Sequence, residues 1–154
     1  AAWESRVRGF PRNEKAAWIL MGLGGVWFLY KISQLGQADF GDYKELLLIL
    51  FGGTLLGSFF WVKDFLAVRG MAVLILLASD LGLKSAYGYY EIEQRLIFVT
   101  VLYLAILVAL YLGTLPFKLR DLFNWLYAKP GRAKVLGYLF EGTGLALLLT
   151  AISY

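Results

Sequence analysis

Three ionisable residues lie inside long apolar stretches of this 154-residue chain, and they are the first candidates for chemistry. They are Arg69, Asp80 and Glu141. A charged side chain at the centre of a membrane-spanning helix costs roughly 2.5–3.5 kcal/mol on insertion scales, so it pairs, faces a polar cavity or marks a transport path. The depths of these residues predict that Arg69 and Glu141 pair or line one polar cavity. Asp80 is predicted to pair with Lys84, four residues further along the same helix.

Glu141 supports two interpretations, which its position alone does not separate. One is a buried structural ion pair, and the other is a proton or ligand site inside the membrane. Arg69 has a simpler explanation, because its long side chain can extend towards the headgroups. Glutamate is too short for that, and Lys134 lies two helical turns away.

The chain contains neither histidine nor cysteine. Zinc and iron–sulfur sites, His-ligated haem, thiol catalysis and imidazole proton relays all need one of these residues. We therefore predict no catalytic residues, no metal site and no cofactor, and we expect bound lipid. No motif of a phosphate-binding loop or a serine nucleophile elbow is present.

Composition determines the broad class. The chain is 60% hydrophobic with a mean hydropathy of +0.66, whereas soluble domains are about 45–50% apolar. A spanning helix needs roughly 20 mostly apolar residues. The sequence therefore predicts an all-α integral membrane protein, a single domain with a bundle of five transmembrane helices. The predicted spans are 16–32, 45–62, 65–83, 96–117 and 135–152.

The third span is interrupted by two charged residues, since Arg69 and Asp80 leave only ten uncharged residues between them, and the distribution of charge supports it. With five crossings, the fifteen basic residues divide eleven to four between the two sides. Without the third crossing they divide eight to seven. The positive-inside rule favours the first arrangement. It predicts a cytoplasmic N-terminus and a C-terminus on the opposite side of an energy-transducing or plasma membrane, such as a bacterial inner membrane.

A further amphipathic helix is predicted over residues 117–128, between the fourth and fifth spans. Its apolar residues share one helical face, which is typical of a helix lying flat in the membrane interface. Basic and aromatic residues around it would contact headgroups: Lys118, Arg120, Trp125, Arg132 and Lys134.

Glycines are frequent in the predicted spans, and small residues let membrane helices approach closely. Gly53 and Gly57 form a GxxxG pattern in the second span, and Gly22, Gly25 and Gly142 suit the same use in other spans. We predict that they support helix packing, within the chain or against another subunit.

Three functional hypotheses follow. Short loops, abundant glycine and the absence of a catalytic constellation favour an accessory or structural subunit of a larger membrane complex, whose partners are lipids and other membrane subunits rather than nucleic acid. A small oligomeric proton- or ion-coupled channel or transporter using Glu141 is the first alternative. The second is a membrane-embedded enzyme that acts on lipid.

Overall fold

A computed structural model of the chain describes residues 2–89, 91, 95–129 and 131–152 and is helical throughout this part, with no strand in it. Two short helices lie at one end of the bundle, α1 and α6, and five long helices make up the rest. The helices of the described part are α1 (Ala2–Gly9), α2 (Glu14–Ser33), α3 (Lys44–Trp61), α4 (Leu66–Ala86), α5 (Arg95–Thr114), α6 (Phe117–Leu126) and α7 (Arg132–Ile152).

Four helices of the described part are long and apolar enough to cross a membrane, namely α2, α3 with the turn before it, α4 and α5. They include α4, the span that the charge distribution supported. α7 is equally long and carries Arg132, Lys134 and Glu141 within its first ten residues. The fifth predicted span, 135–152, is not among the four found in the described residues. The all-α membrane class is therefore confirmed, with four candidate spans.

Local chemistry explains where these helices begin and end. Asn13 starts α2, because its side-chain oxygen accepts a hydrogen bond from the Ala16 backbone N–H at 3.1 Å, which satisfies one of the free amides of the first turn. α5 ends at Thr114, three residues before the predicted end, because Pro116 disfavours helical geometry in the residue before it. Phe65, which precedes α4, has a positive φ of 59° that reverses the chain after α3.

α4 is the centre of the bundle and packs along both α2 and α5. One core cluster lies between α2, α3 and the start of α4, and contains Ala17, Phe59, Leu66 and Ala67. A second joins α4, α5 and α6 through Val68, Leu112 and Leu119. Both clusters lie near the N-terminal end of α4, so packing is densest at that end of the molecule.

Only residues 62–65 connect α3 and α4, and a connection this short predicts a tight helical hairpin. In the structure, however, the principal helix contact of α3 is with α2 rather than with α4. An apolar groove remains between α3 and α4. Short connections bring helix ends together, but side-chain packing decides which faces meet.

α1, the 3₁₀ turn Phe10–Arg12 and α6 form a small layer, here named the end layer, across the N-terminal end of α4. Pro11 is fully buried in it. Leu119 and Leu126 of α6 are buried as well, whereas Leu122 is 42% exposed. The apolar face of α6 thus packs partly on the protein through Leu119 and Leu126, and its position in a membrane interface stays a prediction.

The outward faces of α3, α5 and α7 are apolar and exposed. Leu46, Ile49 and Leu56 of α3 and Leu107 and Leu148 of the other two helices are all more than half exposed. Soluble monomers rarely expose such extensive apolar surface. Lipid tails or other apolar helices are the surroundings in which these faces are stable.

Candidate functional site

Asp80 holds a charge cluster that joins two helices. Its Oδ2 atom accepts hydrogen bonds from Lys31 Nζ and from Lys84 Nζ, each at 3.0 Å. The Lys84 pair is the predicted one. Sequence reasoning missed Lys31, because only the packing of α2 on α4 brings it to Asp80. The sequence does contain an indication of this contact, because Lys31 lies at the C-terminal end of the first span and Asp80 lies at the C-terminal end of the third.

The two lysines that contact Asp80 are expected to contribute unequally to the stability of the protein. The Lys31 side chain is 32% exposed and bridges two helices, whereas Lys84 is 66% exposed and lies on the same helix as Asp80. We expect Lys31→Ala to lower the free energy of unfolding by about 1 kcal/mol and Lys84→Ala by less than about 0.5 kcal/mol. Chemical unfolding of the two variants in detergent measures this, and equal losses would contradict a bridging role for Lys31.

Arg69 and Glu141 are not brought together in the structure. Arg69 is half-buried near the N-terminal end of α4, and Glu141 is exposed on α7. No ion pair joins either residue to another part of the described chain. Matching depth suggested the pair, but α4 packs on α2 and α5, while α7 has a small contact with α5 and contacts α6 through Arg132. The prediction of a pair within one copy of the chain is not reproduced.

The face of α7 around Glu141 lacks close neighbours among the residues that the structure describes. A Cβ atom added at Gly137, Gly142 or Gly144 would meet nothing within 4 Å. Tyr138 and Phe140 are each 69% exposed. The helix therefore presents a carboxylate, glycines and large apolar side chains on an open surface.

The glycines that lie at close helix contacts are not those of the GxxxG pattern. A Cβ atom added at Gly70 of α4 would lie 2.5 Å from the Met21 backbone nitrogen and 2.8 Å from the Leu20 carbonyl carbon of α2. Gly24 and Gly25 of α2 are buried against side chains of α4 and α3, respectively. These glycines lie at close approaches between helices.

Of the other four predicted glycines, three have open surroundings, including one of the GxxxG pattern. Gly22, Gly53 and Gly142 have nothing within 4 Å of an added Cβ, and Gly57 faces Trp61 of its own helix. Within the described residues, the small size of Gly22, Gly53 and Gly142 is not used for packing, whereas Gly57 leaves room for the Trp61 ring.

The end layer carries most of the predicted interfacial residues. Arg132 stacks on Trp125, with its guanidinium carbon 4.3 Å from the ring centre, and donates a hydrogen bond to the Trp125 carbonyl at 2.8 Å. Arg120 pairs with Asp121 at 3.1 Å. Lys118 and Lys134 are exposed. Cations and an exposed tryptophan thus lie together at this end of the bundle, the combination typical of a membrane–water interface.

Comparison of the chain with protein-family models, curated proteins and solved structures finds no match.

Proposed function

We propose that this chain is an accessory subunit of a larger membrane complex and crosses the membrane five times. In this proposal α7 is the fifth crossing, α6 lies at the interface, and the N-terminus is cytoplasmic with the C-terminus on the opposite side. The membrane is an energy-transducing or plasma membrane, such as a bacterial inner membrane. One observation carries the proposal: the exposed, unpacked face of α7 around Glu141.

The argument starts from the cost of an unpaired carboxylate. Glu141 follows the start of α7 by nine residues, which is about 13.5 Å along a helix. At that depth lipid supplies no hydrogen-bond donor, so an exposed carboxylate is unfavourable. A partner helix that places a lysine or arginine opposite Glu141 removes the cost. The glycines on either side would allow such a helix to approach closely.

Co-isolation tests the proposal directly. The tagged chain is purified from its native membrane in mild detergent, and its partners are identified by mass. We expect a larger complex with a fixed stoichiometry of partner chains. Glu141→Leu should lower the recovered partner at least tenfold, because it removes the charge that the partner helix pairs with. Glu45→Leu, at the start of α3, is the matched control and should recover the partner as the wild type does.

Two outcomes would overturn the proposal. A wild-type chain that purifies alone, without partner, is not a subunit. A homo-oligomer that conducts protons in liposomes, and loses the flux in Glu141→Gln, would instead establish the transport alternative.

A further inference from the structure

A polar cleft and an apolar groove lie one behind the other along the same three helices. The cleft has a volume of about 110 Å³ and lies where the N-terminal ends of α2 and α4 meet the C-terminal end of α3. The groove has a volume of about 340 Å³ and lies deeper between the same helices. Ala17 lines the cleft and Met21 lines the groove, and four helical residues span about 6 Å.

The cleft carries both signs of charge. Arg12 and Lys63 both line it, one from the end layer and one from the connection between α3 and α4. Glu14 lines the same cleft. None of the three forms an ion pair within the described residues. The Arg12 guanidinium lies 5.4 Å from the centre of the Phe65 ring, so its position is defined while its N–H groups remain available.

The rest of the cleft is apolar and aromatic. Trp18 stacks on Phe59 with ring centres 4.2 Å apart, and Phe60 beside them is 69% exposed. A tryptophan beside cations is typical of headgroup depth. The polar cleft therefore lies at an interface and opens onto an apolar surface.

The groove is lined by apolar side chains and by a single hydroxyl. That hydroxyl, of Thr54, already donates a hydrogen bond to the Leu50 carbonyl at 2.8 Å. Met21, Phe51 and Leu77 line three sides of the groove, one from each helix. A hydrocarbon chain is the ligand that such a surface accommodates without leaving a polar group unpaired.

We propose that the cleft and groove bind one membrane phospholipid with a primary-amine headgroup. Arg12 and Lys63 hold the phosphate, and Glu14 accepts hydrogen bonds from the ammonium group. One acyl chain follows the exposed aromatic surface into the groove. Two cations are available for the phosphate and one carboxylate for the ammonium group. A choline headgroup has no N–H to donate to Glu14, and a glycerol headgroup offers a neutral hydroxyl in place of the charge-assisted hydrogen bond of an ammonium group.

The experiment uses the full chain, delipidated in detergent and titrated with phosphatidylethanolamine while bound lipid is counted by native mass spectrometry. We expect the double variant Arg12→Gln/Lys63→Gln to bind at least tenfold less lipid at a given concentration. Arg6→Gln/Lys129→Gln is the matched control: it removes one arginine and one lysine, both exposed and outside the cleft, and should bind as the wild type does. Thr54→Trp, which fills the groove and leaves the charges intact, should also weaken binding severalfold.

The headgroup is tested separately. Phosphatidylglycerol and phosphatidylcholine should bind at least threefold more weakly than phosphatidylethanolamine, and Glu14→Gln should remove that preference. Equal binding of the three lipids would overturn the headgroup assignment. Equal loss in both double variants would show non-specific attraction, and displacement of the lipid by millimolar inorganic phosphate would assign the cleft to free phosphate. Either result would overturn the proposal without bearing on the partner complex, which is measured in native membranes.

Discussion

Gly70→Ala should destabilise the bundle, although alanine is the better helix former by about 1 kcal/mol. The added methyl group would meet the backbone of α2 at Met21 and Leu20, at 2.5 to 2.8 Å. Backbone atoms cannot move aside as a flexible side chain does, so α2 and α4 must separate along their contact. Overpacking of this kind costs about 1–3 kcal/mol, and after the gain of about 1 kcal/mol in helix propensity we expect a net loss of about 1 kcal/mol.

Thermal unfolding followed by circular dichroism in detergent measures the effect. Gly22→Ala is the matched control, because Gly22 lies in α2 of the same helix pair and an added Cβ there has open space around it. We expect the control to unfold at the wild-type temperature or slightly above it. If Gly70→Ala were as stable as Gly22→Ala, the close approach of α2 and α4 at this glycine would be wrong.

Leu119→Ala is expected to release the end layer from the bundle. Leu119 is 5% exposed and packs with Val68 and Leu112, so truncation leaves a cavity among three helices. Truncating a buried leucine costs about 2–5 kcal/mol. Amide hydrogen exchange should therefore become faster throughout residues 117–126, and the unfolding temperature should fall.

Leu122→Ala provides the comparison on the same helix. Leu122 is 42% exposed, so its truncation should change the unfolding temperature little. A helix that lay on lipid with its whole apolar face, as the sequence pattern alone predicts, would respond similarly to both substitutions. A difference between the two variants is therefore the signature of packing on the protein.

Composition and periodicity predicted most of the helical architecture. Six of the seven helices correspond to the five apolar stretches and the amphipathic segment, with boundaries that differ by one to three residues at most ends. This works because apolar runs of spanning length have few alternatives to a helix in a membrane, where each backbone polar group must be satisfied within its own segment. The short first helix is not among the predicted elements, since its eight residues, four of them polar or charged, carry no such constraint.

Pairwise contacts were predictable only where both residues lie on one helix. The Asp80–Lys84 pair follows from a spacing of four residues, so the sequence alone predicts it. Lys31 reaches the same carboxylate because α2 packs on α4, and Arg69 does not meet Glu141 because α7 contacts α5 instead. Similar depth is necessary for contact between helices, but neighbouring positions in the bundle are also required.

From the sequence alone it follows that the chain is an all-α membrane protein without histidine or cysteine chemistry, because length, apolarity and composition are properties of the chain itself. Only the tertiary structure decided which glycines serve helix contacts, since Gly70 is enclosed by α2 while Gly53 faces open space. It also decided that Glu141 is exposed and that Arg12, Lys63 and Glu14 line one cleft. Between membrane helices there is little hydrophobic drive, so shape and small residues determine which faces meet.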